Sequence, residues 1–318
     1  MGTPEFAVET LKALVENEYR VVAVVTQPDK PVGRHGSVLQ PSAVKQYALE
    51  KGLPVLQPVK MKDPEFVEQL RSMNANLQVV VAFRMLPEVV WAMPEYGTFN
   101  VHAALLPQYR GAAPINWAVI NGETQTGVTT FFLDHDIDTG RIIMQMPFDI
   151  PDTADVEYVY DGLMHLGADI CLRTLERIVA ADGQPESIAQ PESTGLKTAP
   201  KLFKETCEID WQQPVKRIYD FVRGLNPLPG AWTTLAGPDG KETVLKIYRT
   251  TKTAQAAVGA GRIVADRKHL YISAADCLLQ IDELQLAGKK RMKAADFMNG
   301  MKDIEQYTVV SAAGTQSK

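Results

Sequence analysis

Apolar, β-rich runs alternate with segments of helical periodicity along the first half of the chain. Strands are predicted at four of these runs, Tyr19–Thr26, Leu77–Phe83, Thr98–Ala103 and Val128–Leu133. Helices are predicted around Phe6–Val15 and at Ser42–Lys51, Pro64–Met73 and Val156–Val179. Near-continuous apolar strands between helices indicate a parallel sheet buried on both faces, whose ligands bind at the carboxyl ends of the strands. We therefore predict an α/β, Rossmann-like parallel-sheet domain over residues 1–180.

The second half has a different composition and periodicity. Residues 181–202 are rich in Pro, Ser, Gly and Gln, which is typical of a linker. A helix is predicted at Val215–Val222, and short strands separated by turns are predicted at Thr243–Tyr248, Gly261–Ala265, Leu270–Ser273 and Leu278–Leu286. This pattern predicts a small all-β (OB-like) barrel domain over residues 203–318.

The first residues have the composition of a helix start without a strand ahead of it. Thr3 suits the N-cap, Pro4 the first helical position and Glu5 the first turn. An alternating βα fold places a strand before such a turn. We therefore expect a short apolar strand upstream of Met1 in the natural protein.

The composition excludes several classes of protein. The sequence has no apolar run of about 18 residues and no secretory leader. Its three cysteines, Cys171, Cys207 and Cys277, form no CxxC pair, which fits reduced thiols of a cytoplasmic protein better than a disulfide framework or a zinc site. We predict no metal centre. Without a long heptad pattern or another interface signature, we expect a monomer.

Charge is unevenly distributed along the chain. Residues 203–318 hold 17 Lys+Arg against 13 Asp+Glu, whereas residues 1–202 hold 16 against 25. A basic C-terminal half indicates a polyanionic partner, although chance scatter of surface charge gives the same counts.

Three polar residues suit the chemistry of acyl transfer. Asn100 and His102 lie two apart on a predicted strand, so their side chains share one face near its carboxyl end. Asp138 follows the next strand in a turn that ends at Gly140, from which it can reach the same edge. Asn and His can donate to a developing oxyanion, and Asp can orient His. No GxSxG elbow or motif cysteine offers a nucleophile, so the predicted route is non-covalent. The alternative is that His102 is an ordinary core residue.

The segment NVHAALLPQYRGAAPINWAVING, followed by TGVTT and DIDTGRI, resembles the folate-dependent formyltransferases. Within that family, the segments GTPEFA, TQPDKPVGR, IDW, LNPLPGAW and AGKKRMKAADF resemble the members that act on tRNA. The resemblance covers nearly the whole chain. It implies 10-formyltetrahydrofolate as donor and the α-amino group of methionyl initiator tRNA as acceptor.

The resemblance also assigns residues. Asn100, His102 and Asp138 match the family's catalytic residues, and Ala104-Leu105-Leu106-Pro107 matches its folate-binding loop. Arg34 matches an arginine that contacts the tRNA acceptor end, and the C-terminal barrel of the family helps to hold tRNA. We add Lys30, Lys289, Lys290 and Arg291 as predicted tRNA contacts, although each of these charges also suits a solvated surface.

The chain departs from the family pattern at a few positions. Ala104 stands where the family usually has Ser, and Arg84-Met85 where many members have a Gly-containing turn. Both lie near the expected folate pocket, where we expect binding to be retained through backbone groups. The family's strand before GTPEF is the one missing here.

Two other functions are compatible with the motifs. One is a formyltransferase that acts on a sugar nucleotide or a small amine, against which the Arg34 loop and the basic C-terminal half argue. The other is a non-catalytic RNA-binding protein of translation, against which the intact Asn100, His102 and Asp138 argue.

Overall fold

Residues 1–32, 38–192, 194–301 and 303–310 are described by the computed structural model. The chain divides into two compact units, and each unit is built from three segments that contact one another. The first comprises Met1–Pro114, Gln125–Asp149 and Tyr160–Thr198, and the second Ile115–Thr124, Ile150–Val159 and Ala199–Lys318. The domain bounds expected from composition stay a prediction.

The helices are α1 (Glu5–Glu16), α2 (Ala43–Glu50), α3 (Pro64–Ser72), α4 (Glu88–Trp91), α5 (Pro114–Ile120), α6 (Val156–Ala180), α7 (Val215–Leu225) and α8 (Ala294–Gly300). The strands up to the end of α6 are β1 (Val24–Val25), β2 (Lys30–Val32), β3 (Val38–Gln40), β4 (Val55–Leu56), β5 (Gln78–Val81), β6 (Thr98–His102), β7 (Arg110–Gly111), β8 (Gln125–Phe132) and β9 (Ile142–Asp149). The later strands are β10 (Thr198–Ala199), β11 (Ala231–Ala236), β12 (Glu242–Ala256), β13 (Ile263–Ala265), β14 (Leu270–Ser273), β15 (Cys277–Leu286), β16 (Met292–Lys293) and β17 (Thr308–Val310).

The first unit has the predicted Rossmann-like arrangement. Strand β1 pairs with β4 in parallel, and β5 pairs with β6 in parallel. The sheet then continues as β6–β8–β9 with both pairings antiparallel, and the loop at 133–141 joins β8 and β9 as a hairpin. A cluster that includes Val25, Leu56, Phe66 and Val80 joins α3 to these strands. The predicted α/β class is confirmed, with two antiparallel strands at one side of the sheet.

Residues Met1 and Gly2 lie between β1 and β5. The Gly2 N–H donates to the Val25 carbonyl at 3.0 Å, and the terminal ammonium donates to the Val79 carbonyl at 2.7 Å. Burial lowers the pKa of that ammonium to about 6. Helix α1 begins at Glu5, one residue later than expected: Pro4 is its N-cap, and the predicted capping role of Thr3 is wrong. The expected upstream strand stays a prediction.

The second unit contains the predicted all-β domain. Its strand order is β13–β14–β15–β12–β11–β17, with β16 added beside β15. The two edges approach each other, because the Val309 N–H donates to the Gly261 carbonyl at 3.1 Å and Arg262 bridges Thr308. The sheet is therefore almost closed into a barrel around a core that includes Ile209, Trp211, Leu225, Leu235, Leu245 and Ile247. Among the residues described, no helix has both the length and the hydropathy to cross a membrane.

Candidate active site

Strand β6 carries Asn100 and His102 on one face, two residues apart. The alternating residues of the same strand, Phe99 and Val101, lie on the other face and are 0% and 3% exposed. Their burial fixes the strand in the sheet. The Oδ1 atom of Asn100 is buried and has no hydrogen-bond partner among the described residues. Leaving a buried polar atom unpaired costs about 1–3 kcal/mol, so such an atom is expected at a site where a ligand supplies the partner.

Each ring nitrogen of His102 faces an acceptor. Nε2 lies 2.9 Å from the Tyr109 carbonyl, and Nδ1 lies 3.9 Å from Oδ2 of Asp138. Because a carbonyl oxygen can only accept, Nε2 is the protonated nitrogen of the neutral ring. Nδ1 is then free to take a second proton beside the carboxylate. The side chain of His102 is 6% exposed and that of Asp138 is 13% exposed, so this pair is little screened by water.

Asp138 reaches the histidine from the loop between β8 and β9. Its Oδ2 accepts a hydrogen bond from the Gly111 N–H at 2.9 Å. Asp138 has a φ of 56° and Tyr109 a φ of 60°, both in the left-handed region. Left-handed L-residues cost roughly 1–2 kcal/mol each, and such conformations concentrate at functional sites.

Three consecutive residues connect the histidine to the aspartate. Tyr109 offers its carbonyl to His102, Gly111 donates its N–H to Asp138, and the Arg110 side chain between them contacts Gln190 at 2.6 Å. The predicted catalytic residues are thus brought together around one short loop. Neither Tyr109 nor Gly111 was among the predicted site residues, because both act through backbone groups that residue type does not specify.

Thr129 on β8 holds the predicted folate loop through two hydrogen bonds to its backbone. The Thr129 hydroxyl donates to the Ala104 carbonyl at 2.6 Å and accepts from the Leu106 N–H at 3.1 Å. Gln145 on β9 donates to the Leu106 carbonyl and to the Thr129 hydroxyl, both at 2.9 Å. Ala104 and Leu106 are buried, whereas Leu105 and Pro107 are half-buried and available to a planar ligand.

The positions that depart from the family pattern are packed or hydrogen-bonded in different ways. Ala104 is 0% exposed, so a serine hydroxyl is replaced by a packed methyl group. The Arg84 guanidinium donates to the carbonyls of Val59, at 2.9 Å, and Pro58, while Met85 is 68% exposed. In the described ranges, no group of three or more His, Cys, Asp or Glu side chains is arranged to hold a metal ion.

The predicted tRNA contacts differ from one another in their exposure and in their ion pairs. Arg34 lies outside the described residues. Lys30 is exposed on β2, at the start of the hairpin with β3. Lys289 and Lys290 are exposed between β15 and β16, and no ion pair with another described residue involves them. Arg291, by contrast, binds Glu283 at 2.6 Å and stacks 4.3 Å from the Tyr248 ring centroid.

The chain matches two family models. The model described as formyl transferase covers residues 1–175, and the model described as formyl transferase, C-terminal domain covers residues 201–302. Among solved structures, the sugar 3N-formyl transferase WlaRD, crystallised in the presence of dTDP and 5-N-formyl-THF, has a TM-score of 0.64 at 18% identity, covering 91% of this chain and 97% of its own. The two matched domains place the chain in the formyltransferase class.

Relatives of high identity narrow the class. The methionyl-tRNA formyltransferase of Parabacteroides distasonis is 60% identical over 97% of both chains, and that of Phocaeicola vulgatus is 59% identical over 97% of both. The chain therefore belongs to the methionyl-tRNA formyltransferase family.

Proposed function

We propose that the protein transfers the formyl group of 10-formyltetrahydrofolate to the α-amino group of methionyl initiator tRNA, which gives the N-formylmethionyl-tRNA used to initiate translation. The acceptor is supported by relatives of 59–60% identity that carry the name methionyl-tRNA formyltransferase. The donor class is supported by WlaRD, which was crystallised with a formylated tetrahydrofolate. The observation that carries the chemistry is the pairing of His102 with Asp138 on the face of β6 that also holds Asn100.

His102 is the general base of this proposal. The amine must lose a proton as it attacks, and Nδ1 is the ring nitrogen that can accept one because Nε2 donates to the Tyr109 carbonyl. The imidazolium that forms is then flanked by the Asp138 carboxylate at 3.9 Å and by that carbonyl. Asp138 is thus proposed as the counter-charge of the histidine that carries the proton, rather than as a base acting alone.

Asn100 and the protonated His102 stabilise the negative charge that develops on the formyl oxygen. A positioned amide or imidazolium donor is worth about 10²–10³ in rate in comparable acyl transfers. His102 then returns its proton to the departing nitrogen, which closes the cycle without a covalent enzyme intermediate. The unpaired Asn100 Oδ1 is an acceptor, so its partner would be a substrate N–H such as that of the attacking amine, while Nδ2 donates to the formyl oxygen.

The donor is proposed to lie against Ala104-Leu105-Leu106-Pro107. The Ala104 carbonyl and both backbone groups of Leu106 are bonded to Thr129 and Gln145, so the loop is preorganised and offers Leu105 and Pro107 to the folate ring. The residues proposed to contact tRNA remain Arg34, Lys30, Lys289, Lys290 and Arg291, with residues 203–318 as the tRNA-binding domain. We also propose a cytoplasmic monomer that acts without a metal.

One assay separates this proposal from its rivals. The protein is incubated with 10-formyltetrahydrofolate and either methionyl initiator tRNA or an amino-sugar nucleotide, and the formylated product is measured. We expect formylmethionyl-tRNA, in amounts that fall with salt because phosphate contacts release counterions. A product only from the amino sugar would favour the sugar enzyme. No product from either acceptor would favour a non-catalytic RNA-binding protein.

A further inference from the structure

Gln190 has a fully used side-chain amide next to the candidate active site. Its Nε2 donates to the carbonyls of Asp138, at 2.8 Å, and Gly140, at 2.9 Å. Its Oε1 accepts from Nε and Nη2 of Arg110, at 3.1 and 2.6 Å. Carbonyls only accept and a guanidinium only donates, so the orientation of this amide is fixed by its partners.

We propose that Gln190 is a positioning residue for Asp138, and this inference rests on the proposed function. Asp138 is held at two points: its carboxylate by the Gly111 N–H and its own carbonyl by Gln190. The two points are linked, because Arg110, which precedes Gly111, binds Gln190. The loop that binds the carboxylate and the glutamine that binds the carbonyl therefore move as one body.

The left-handed backbone of Asp138 explains why such a brace is needed. At a φ of 56°, an L-residue relaxes toward the right-handed or extended regions unless its surroundings hold it. Rotation of that backbone would swing the carboxylate away from Nδ1 of His102. Gly140 limits the loop on the other side, since a Cβ there would lie 1.7 Å from the Phe132 carbonyl oxygen.

Gln190 lies in a segment that runs along the first unit. Ile188 forms a two-way backbone bridge with Ile142, and the Lys197 carbonyl accepts from the Tyr109 N–H at 2.6 Å. The glutamine is thus anchored before and after its own position. A substitution at Gln190 alone removes this brace, that is, its hydrogen bonds to the loop of Asp138. The backbone contacts of Ile188 and Lys197 still hold the segment in place.

The test compares Gln190→Leu with Gln184→Leu, a change at an exposed glutamine of the same segment. Gln190→Leu is expected to lower kcat about 10–100-fold while KM for both substrates stays nearly constant, the effect of a displaced catalytic group. Gln190→Glu keeps the acceptor for Arg110 but loses both N–H donors, so it should behave like Gln190→Leu. Gln184→Leu should match the wild type.

A double-mutant cycle with Asp138→Asn tests the coupling. If Gln190 acts through Asp138, then Gln190→Leu should cost little further rate in the Asp138→Asn background. An equal cost in both backgrounds, or a wild-type kcat for Gln190→Leu, would overturn the positioning role.

Amide hydrogen exchange gives a readout that does not depend on the acceptor. Exchange across residues 134–141 should be faster in Gln190→Leu than in the wild type and in Gln184→Leu. Unchanged exchange there would sink the brace even if the enzyme is active. A wild type that forms no formylmethionyl-tRNA would instead contradict the proposed function, and the exchange rates would still decide the brace.

Discussion

At the residue scale, the proposed role of His102 as a base gives each of its ring nitrogens a separate task. Nε2 anchors the ring on the Tyr109 carbonyl, and Nδ1 faces Asp138 and the space where the amine would attack. The loss of the Nε2 hydrogen bond and the loss of the basic Nδ1 can therefore be separated by mutation. A side chain that keeps a donor at the position of Nε2 but offers no basic nitrogen isolates the second effect.

His102→Gln and His102→Ala make that separation. Both should lower kcat at least about 10²-fold, the usual contribution of a general base. His102→Ala should in addition destabilise the fold by about 1–3 kcal/mol, because the buried Tyr109 carbonyl loses this donor, whereas His102→Gln can keep it. Steady-state kinetics and thermal unfolding measure the two effects. Near-wild-type turnover in either variant would remove His102 from the mechanism.

Thr129 links the candidate folate loop to β8 through one hydroxyl. Thr129→Val keeps the shape but removes the bonds to Ala104, Leu106 and Gln145. We expect KM for the formyl donor to rise by about tenfold or more, since one positioned hydrogen bond contributes roughly 1.5 kcal/mol. The matched control is Thr130→Val, which removes the equally buried bond to Thr174 on the other face. Thr130→Val should lower thermal stability and leave that KM unchanged; a similar KM in both variants would count against the loop.

The sequence predicted the side chains of the candidate site better than the groups that hold those side chains in place. Asn100, His102 and Asp138 were predicted because their amide, imidazole and carboxylate groups can serve one reacting centre, and because they match the catalytic residues of the family that the sequence resembles. The contacts of Tyr109 and Gly111 are made by backbone atoms, which residue type does not reveal. Gln190 lies 52 residues from Asp138 in a segment with the composition of a linker. Only the three-dimensional structure brings it to the loop.

At the element scale, apolar periodicity located one long helix and several strands well but did not fix the length of every strand: β12 runs to Ala256, eight residues beyond its predicted end at Tyr248. Helix α6 and strands β5, β6, β14 and β15 lie within a few residues of their predicted bounds. Strand β1 is only Val24–Val25, shorter than its apolar run. Strand β9 was missed: it is an edge strand and contains Pro147, which a central strand would exclude. Edge position is a property of the sheet and not of the segment.

The β8–β9 connection tests how tightly an element boundary controls the site. A Cβ added to Gly140 would lie 1.7 Å from the Phe132 carbonyl oxygen, so Gly140→Ala must displace the loop that carries Asp138. We expect kcat to fall about 10-fold or more and the unfolding temperature to decrease. Gly300→Ala is the control, because no heavy atom lies within 4 Å of a Cβ at that position in α8. Equal activity in the two variants would mean that the loop adapts.

At the scale of the whole molecule, the excess of cations predicted for residues 203–318 is divided between side chains in ion pairs and side chains outside them. In the second unit, Lys252 pairs with Asp152 at 2.5 Å and Arg291 with Glu283 at 2.6 Å. Such cations are already partly neutralised. Lys289 and Lys290 are exposed and outside any ion pair with the residues described. A net count of charges therefore predicts the sign of a partner but not the residues that contact it.

The salt dependence of tRNA binding turns this distinction into a prediction. The logarithm of the association constant should fall linearly with the logarithm of salt concentration, and each lost phosphate contact should reduce the slope by about 0.7–0.9. Lys289→Ala and Lys290→Ala should each reduce it by that amount with kcat at saturating tRNA unchanged. Arg291→Ala should change the slope less, because in the wild type the guanidinium is already bound to Glu283 and stacked on Tyr248. Lys241→Ala is the control, since Lys241 is 88% exposed but lies 3.1 Å from Asp239. If Lys241→Ala reduces the slope as much as Lys289→Ala, the dependence reflects overall charge, and the turn between β15 and β16 is not a specific contact.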